Sequence, residues 1–185
     1  MSVLMAPPRL TVPVSERDHV VGPQTAPVTI VEYGDYECPF CGAAHPVVKA
    51  LQKALGDNLR FAYRHFPLSQ IHPHSFQAAE AAEAAGAQDR FWQMHDMVFE
   101  HQNRLGTQDL LAYASAVGVE LEPFAEDLAE HRHAPRVRED FLSGVRSGVN
   151  GTPTFFINGM RHDDSYDFET LLAALHGAAG IGTGS

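Results

Sequence analysis

The sequence has few of the features that would mark a nucleic-acid-binding, membrane-spanning or disulfide-stapled protein. Its 185 residues include only two cysteines, and 13 Lys and Arg against 23 Asp and Glu give a formal net charge of -10. Nucleic acids and anionic membranes bind clustered positive charge, so we expect no nucleic-acid partner. No apolar run approaches the roughly 18 residues of a membrane span, so we also expect no membrane span.

The N-terminus has no apolar run long enough for the core of a signal peptide, and residues 1–14 carry three prolines instead. We therefore expect a cytoplasmic protein, or an exported one if a signal segment has been removed. Residues 1–18 show no periodicity and are predicted to form a loosely packed arm. No glycine-rich phosphate loop lies between a strand and a helix, so no nucleotide cofactor is expected.

The two cysteines that are present stand three positions apart, in Cys38-Pro39-Phe40-Cys41. Disulfide stabilisation grows with loop length, and so small a ring constrains almost nothing in the unfolded chain. The spacing therefore indicates a reactive dithiol. Residues 28–33 form a β-branched run typical of a buried strand, and Pro39 suits the first position of a helix over 39–55. That helix makes Cys38 the N-cap.

The N-terminus of the helix predicts different roles for the two thiols. Free N–H groups and the helix dipole favour the thiolate of Cys38, whereas Cys41 lies one turn deeper and is shielded. Two further features predict that the pKa of Cys38 falls only moderately below about 8.5. Asp35 and Glu37 bring like charge, and Phe40 supplies no cation. These two features predict a reducing potential, suited to a reductase or isomerase.

The rest of the chain predicts a mixed α/β fold. Residues 59–64 alternate apolar and polar side chains, and with the first strand and helix they form a parallel β-α-β unit. A strand over 154–157 is followed by Asn158-Gly159, a type I′ hairpin signal, and Asp167 caps a helix over 168–175. Between these parts lie five predicted helices, at 73–85, 88–101, 108–117, 124–132 and 136–147.

Three further features complete a resemblance to the DsbA-like branch of the thioredoxin superfamily. These are Glu32, six residues before Cys38, then Pro46 in the helix, and the segment 151–159 that holds Thr152 and Pro153. The resemblance implies a thioredoxin fold with an inserted helical domain. Its predicted boundaries are 1–18 for the arm, 19–68 and 149–178 for the thioredoxin-like domain, and 69–148 for the insertion.

The resemblance also implies roles for site residues. Glu32 would be a buried acid near Cys41, and its place in an apolar run favours a raised pKa and a proton taken from that thiol during resolution. A carboxylate at the solvent end of a strand is the alternative. Pro46 would kink the active-site helix. Pro39, Phe40, Thr152 and a cis Pro153 would face the substrate, which pairs with the Thr152 backbone as an extended strand.

We therefore predict a thiol–disulfide oxidoreductase in which Cys38 forms a mixed disulfide and Cys41 resolves it. Its partners would be proteins with thiols or disulfides and a recycling partner such as glutathione or a thioredoxin-like protein. No cofactor and no metal are expected, because the histidines near 72 and 131 lack zinc-finger spacing to the cysteines. The alternatives are a peptide-binding holdase on the same fold and a glutathione-linked isomerase or transferase, whose members usually carry serine and lack the resolving cysteine.

Overall fold

The computed structural model describes residues 6–180, and within them one five-stranded sheet forms the centre of the molecule. The strands lie in the order β1-β3-β2-β4-β5. Their bounds are β1 His19–Val21, β2 Val28–Gly34, β3 Leu59–His65, β4 Thr154–Ile157 and β5 Met160–His162. The central strand β2 runs parallel to β3 and antiparallel to β4. The predicted parallel β-α-β unit is therefore confirmed.

Seven α-helices connect and cover these strands within the described range. They are α1 Pro39–Leu55, α2 Ser75–Gly86, α3 Phe91–Glu100, α4 Thr107–Ala116, α5 Leu121–Ala129, α6 Ala134–Arg146 and α7 Phe168–Ala179. Helices α2 to α6 lie between β3 and β4, so the fold class, a thioredoxin fold with inserted helices, is confirmed. No helix in residues 6–180 is long and apolar enough to cross a membrane.

The centre of the sheet is buried on both faces, and side chains along β2 point alternately to one face and the other. This alternation determines which of two apolar cores each β2 side chain packs into. Val28 and Ile30 belong to the larger apolar core, which includes residues of α1, α7 and the inserted helices. Val31 and Tyr33 point the other way, into a smaller core that α6 covers through Phe141. Glu32 follows the same alternation as Ile30, so its side chain faces α1 and the cysteines.

Most of the predicted arm over 1–18 is exposed in its described part, yet hydrogen bonds tie it to the sheet, while residues 1–5 lie outside the described range. The Arg64 guanidinium donates to both carboxylate oxygens of Asp18 at 2.7 and 3.0 Å and to the carbonyl of Val12 at 2.8 Å. The Leu10 amide donates to the Gly159 carbonyl at 2.8 Å. A residue in β3 thus fixes the arm, through contacts too distant in sequence for local periodicity to reveal.

The chain reversal between β4 and β5 has the geometry that its sequence predicts. Asn158 and Gly159 both have positive φ, at 46° and 80°, as a type I′ turn requires. The N-cap of α7 is also as predicted, because the Asp167 side chain accepts a hydrogen bond from the Thr170 amide at 2.9 Å. Strand β1 was not predicted, since only three residues form it and the segment around it is rich in turn residues.

Candidate active site

The active-site helix α1 begins as the sequence predicts, with Pro39 in its first turn and Cys38 as the N-cap. Cys38 has an extended backbone, with φ at -71° and ψ at 122°, and both cysteines are free thiols. Pro46 lies inside the helix. Because the first amides of a helix have no carbonyl partner within it, the N-cap sulfur lies where donors are available.

The pKa of Cys38 is lowered to about 5, and the main cause is a hydrogen bond from the Cys41 thiol. Burial opposes this shift, whereas the Thr152 side chain and the backbone amides of Cys41 and Phe40 add to it. The Thr152 hydroxyl has no other hydrogen-bond partner, so it is available to a thiolate. The prediction of only a moderate fall in this pKa is therefore wrong.

The two acidic residues on which that prediction depended are engaged elsewhere. The Asp35 carboxylate is fully buried and accepts hydrogen bonds from the amides of Glu37 and Leu68, each at 2.8 Å, and from the His72 ring at 2.9 Å. The Glu37 carboxylate lies 2.9 Å from the His74 ring. Neither appears among the causes that shift the pKa of Cys38. Their closeness in sequence to Cys38 did not predict their effect on its pKa, because their side chains turn towards the segment after β3.

Cys41 is fully buried and has the opposite electrostatic surroundings. Burial raises its pKa well above the usual value, and the hydrogen bond to Cys38 and the charge of Glu32 raise it further. The Asp35 amide donates to the Cys41 sulfur at 3.4 Å. Cys41 therefore holds its proton in the reduced protein, whereas Cys38 is ionised at neutral pH.

Glu32 is a buried acid, only 2% exposed, and burial raises its pKa to about 8, with a further contribution from Cys38. One of its carboxyl oxygens, Oε1, has no hydrogen-bond partner. Directly across from it on β3 lies Tyr63, whose buried hydroxyl also lacks a partner. An unpartnered carboxyl with a pKa near neutrality, on the same side of the sheet as Cys41, is suited to exchanging a proton with that thiol.

The predicted substrate-facing residues surround the Cys38 end of the dithiol. The Cys38 thiol lies 3.5 Å from the Thr152 carbonyl oxygen, and the Thr152–Pro153 peptide bond is cis. Pro39 is exposed, and Phe40 is 64% exposed although it is a large apolar side chain. Pro39 and Phe40 are thus exposed and Thr152 and Pro153 are half-buried, whereas Cys38, Cys41 and Glu32 are all buried.

Two positioning contacts were not identified from the sequence. Gln102, from the loop after α3, donates from Nε2 to the carbonyls of Tyr36 at 2.9 Å and of Cys38 at 2.8 Å. A Cβ atom at Gly42 would stand 2.0 Å from the Gln102 amide oxygen, so only glycine leaves room for this clamp. The segment between the inserted helices therefore holds the start of α1 through the Gln102 side chain. No local sequence motif predicts this contact.

The arrangement gives no support to a metal held by the cysteines. Within residues 6–180, two groups of His, Asp and Glu side chains have ligand atoms close enough to share a metal ion, and neither group includes Cys38 or Cys41. His72, one of the possible partners in sequence, instead contacts the Asp35 carboxylate at 2.9 Å. His131 contacts Glu80 on α2 at 3.0 Å.

The fold and this site define a protein of the thioredoxin superfamily. The protein-family model described as Thioredoxin matches residues 14–176, and the chain therefore belongs to that family. Among solved structures, BdbD of Bacillus subtilis in its oxidised form superposes with a TM-score of 0.83 at 24% identity, covering 95% of this chain and 98% of that one. A thioredoxin-like oxidoreductase of Silicibacter pomeroyi DSS-3 has a TM-score of 0.79 at 26% identity and covers 90% and 94%.

The curated relatives with high sequence identity are longer proteins. Over 170 residues the chain is 52% identical to Na(+)/H(+) antiporter NhaA 1 of Salinispora arenicola, which covers 91% of this chain but 26% of the antiporter. For Na(+)/H(+) antiporter NhaA 3 of Salinispora tropica the identity is 49%, with 91% and 26% covered. The chain thus spans about a quarter of the length of the curated relatives that it matches.

Proposed function

We propose that the protein is a thiol–disulfide oxidoreductase that works mainly as an oxidant of dithiols in other proteins. The observation that carries this proposal is the opposite ionisation of two thiols within one helical turn. Cys38 has a pKa of about 5, whereas the pKa of Cys41 is raised well above its usual value. A dithiol whose outer sulfur is a stabilised thiolate favours the reduced form of the enzyme, and so makes its disulfide a good oxidant.

In the oxidising direction, a substrate thiolate attacks the Cys38 sulfur of the Cys38–Cys41 disulfide. The Cys38–Cys41 bond breaks and Cys41 leaves with the electron pair, so a mixed disulfide joins the substrate to Cys38. A second substrate thiolate then attacks the substrate sulfur in that mixed disulfide and releases the Cys38 thiolate. The substrate loses two electrons to the enzyme and gains a disulfide.

Glu32 supplies the proton that this scheme requires at Cys41. A thiol with so high a pKa leaves poorly as an anion, and its burial keeps water away. With a pKa of about 8, Glu32 carries a proton at neutral pH and is able to give it to the departing sulfur. In the reverse direction the same carboxylate takes the proton when Cys41 attacks the mixed disulfide.

Exposed apolar surface in two parts of the molecule favours a polypeptide substrate. Phe40 is 64% exposed next to the sulfur, and Ile71 is 69% exposed in the segment after β3. A cavity of about 480 Å³ lies beside Ile71, and the residues that line it include Leu68, Phe76 and Phe141. Apolar side chains of an extended or unfolded segment would bury these surfaces, whereas a small thiol such as glutathione would not reach them.

The redox equilibrium of Cys38 and Cys41 with glutathione tests the direction. We expect a reduction potential between about -200 and -120 mV, in the range of disulfide isomerases and strong oxidants. A potential near about -270 mV, typical of thioredoxin, would leave the oxidoreductase class intact but overturn the oxidising direction. The recycling partner and the cytoplasmic location stay predictions.

A further inference from the structure

Away from the dithiol, three potential metal ligands meet where the active-site helix packs against the inserted helices. They are His45 on α1 and His95 and Asp96 on α3, and their ligand atoms all lie within 4.8 Å of one another. We propose that His45, His95 and Asp96 form a binding site for a divalent transition metal ion, with Zn²⁺ as the expected occupant. The site is separate from the redox chemistry proposed above and does not depend on it.

The donor set and its spacing fit zinc. Two imidazole nitrogens and one carboxylate oxygen are a common protein ligand set for Zn²⁺, which completes its tetrahedron with water. The His45 Nε2 and Asp96 Oδ1 atoms are 3.4 Å apart. Two ligands about 2.1 Å from a tetrahedral ion stand about 3.4 Å from each other, so this pair needs little adjustment. Asp96 Oδ1 is buried and has no hydrogen-bond partner.

The surroundings leave room for the ion and orient one of its ligands. A cavity of about 60 Å³ opens between α1 and α3, and His45, His95 and Asp96 all contribute to its lining. This volume exceeds the space that one water needs. The Tyr36 hydroxyl lies 2.9 Å from His95 Nδ1, which leaves Nε2 of that ring as the nitrogen for a metal.

The second group of possible ligands is a weaker candidate. Its members are His65, Glu83 and Asp140. There the Glu83 Oε1 atom already forms hydrogen bonds with the Nε2 atoms of His65 at 2.8 Å and His19 at 2.9 Å. An ion would have to displace these hydrogen bonds in a buried cluster. At the α1–α3 junction, by contrast, the competing group is the Lys49 ammonium, 2.9 Å from Asp96 Oδ2 and about half exposed.

Calorimetric titration of the oxidised protein with Zn²⁺ tests the site, because the disulfide withholds both thiols from the metal. We expect one zinc ion per chain and a higher midpoint of thermal unfolding when zinc is present. Asp96→Asn and His45→Gln should each weaken binding at least about tenfold. The control is His101→Gln, which removes an exposed histidine just after α3 and should leave binding unchanged.

Lys49→Met keeps the test decisive even if a ligand variant folds poorly. Removing the ammonium frees the Asp96 carboxylate, so zinc should bind more tightly, and misfolding does not produce a gain in affinity. The proposal is overturned if the oxidised protein binds no zinc. It is equally overturned if the Asp96 and His45 variants, shown to be folded by circular dichroism, bind zinc as the unaltered protein does.

Discussion

The rim of the dithiol site, formed by Cys38, Phe40 and Thr152, differs from its floor, formed by Cys41 and Glu32, in every property that governs thiol chemistry. At the rim the pKa of the sulfur falls to about 5, whereas at the floor burial raises the pKa of both the thiol and the carboxyl. Three positions along one helix therefore separate a thiolate from a thiol. Both sulfurs are buried, 3% and 0% exposed, so the hydrogen-bond donors around Cys38 are what distinguish it.

The physical causes of the two shifts are distinct. The rim sulfur has donors around it: the Cys41 thiol, the Thr152 side chain and the first amides of α1. The floor has little that stabilises charge, since Glu32 Oε1 and the Tyr63 hydroxyl are buried without partners. The free energy of forming a negative charge is thus lower at the rim than at the floor. Electrons and protons should accordingly move through different residues.

The largest expected difference between rim and floor is in the amount of mixed disulfide that accumulates when each cysteine is replaced in turn. Cys41→Ser leaves the rim thiolate able to form mixed disulfides and removes their resolution, so these adducts should accumulate. Cys38→Ser removes the only sulfur at the rim and should trap almost none. Non-reducing gel electrophoresis with a reduced, unfolded substrate measures both variants. Equal trapping by the two variants would contradict the division of roles.

Glu32→Gln should remove the proton exchange at the floor and leave the rim unchanged. We expect the resolution step to slow about a hundredfold, a typical contribution of a general acid or base. In the unaltered protein, Cys41 release in the oxidising direction should fall as pH rises through about 8, where Glu32 loses its proton. The variant should lack this step.

Rapid-mixing kinetics across pH measure both Glu32 effects: mixed-disulfide formation reports Cys41 release, and mixed-disulfide decay in the reverse direction reports resolution. Glu37→Gln is the matched control, because this nearby acid contacts His74 rather than the sulfurs. An unchanged pH profile in Glu32→Gln would show that water or another group carries the proton. The Cys38 pKa serves as an internal check, since Glu32, with a pKa of about 8, is protonated and uncharged at the Cys38 midpoint near pH 5.

Most of the floor could be predicted from the sequence, because its position follows from strand alternation and helix depth. An acid at Glu32, in a run of apolar strand residues, has only two orientations, and the one matching Ile30 places it beneath α1. The rim was harder to predict. Its charge balance depends on where Asp35 and Glu37 turn, and those directions are set by His72 and His74 from another segment.

The fold shows the same division between local and distant causes. Helix starts marked by local chemistry, such as Pro39 and Asp167, lie where the sequence places them. The helix predicted over 108–117 begins one residue earlier, because Thr107 is the first residue of α4 and Gly106 takes the cap position. The Gln102 clamp and the fixed N-terminal arm could not be predicted, because each joins residues more than 45 positions apart.

A smaller effect is expected at the exposed part of the rim. Phe40→Ala removes apolar surface that a polypeptide substrate would cover, so KM for a reduced protein substrate should rise about threefold to tenfold. Turnover with glutathione disulfide should stay the same, since so small a reactant needs only the sulfur. Steady-state kinetics with both substrates measures the contrast. An equal loss with both would mean that Phe40 acts on the thiol instead.

The most direct test of the contrast between rim and floor is the ultraviolet absorbance of thiolate in the fully reduced protein as a function of pH. One thiolate per chain should appear with a midpoint near pH 5, and no second thiolate should appear until well above pH 9. Cys38→Ser is the control and should abolish the first transition. A first midpoint near about 8.5, the value of a free cysteine, would contradict the account.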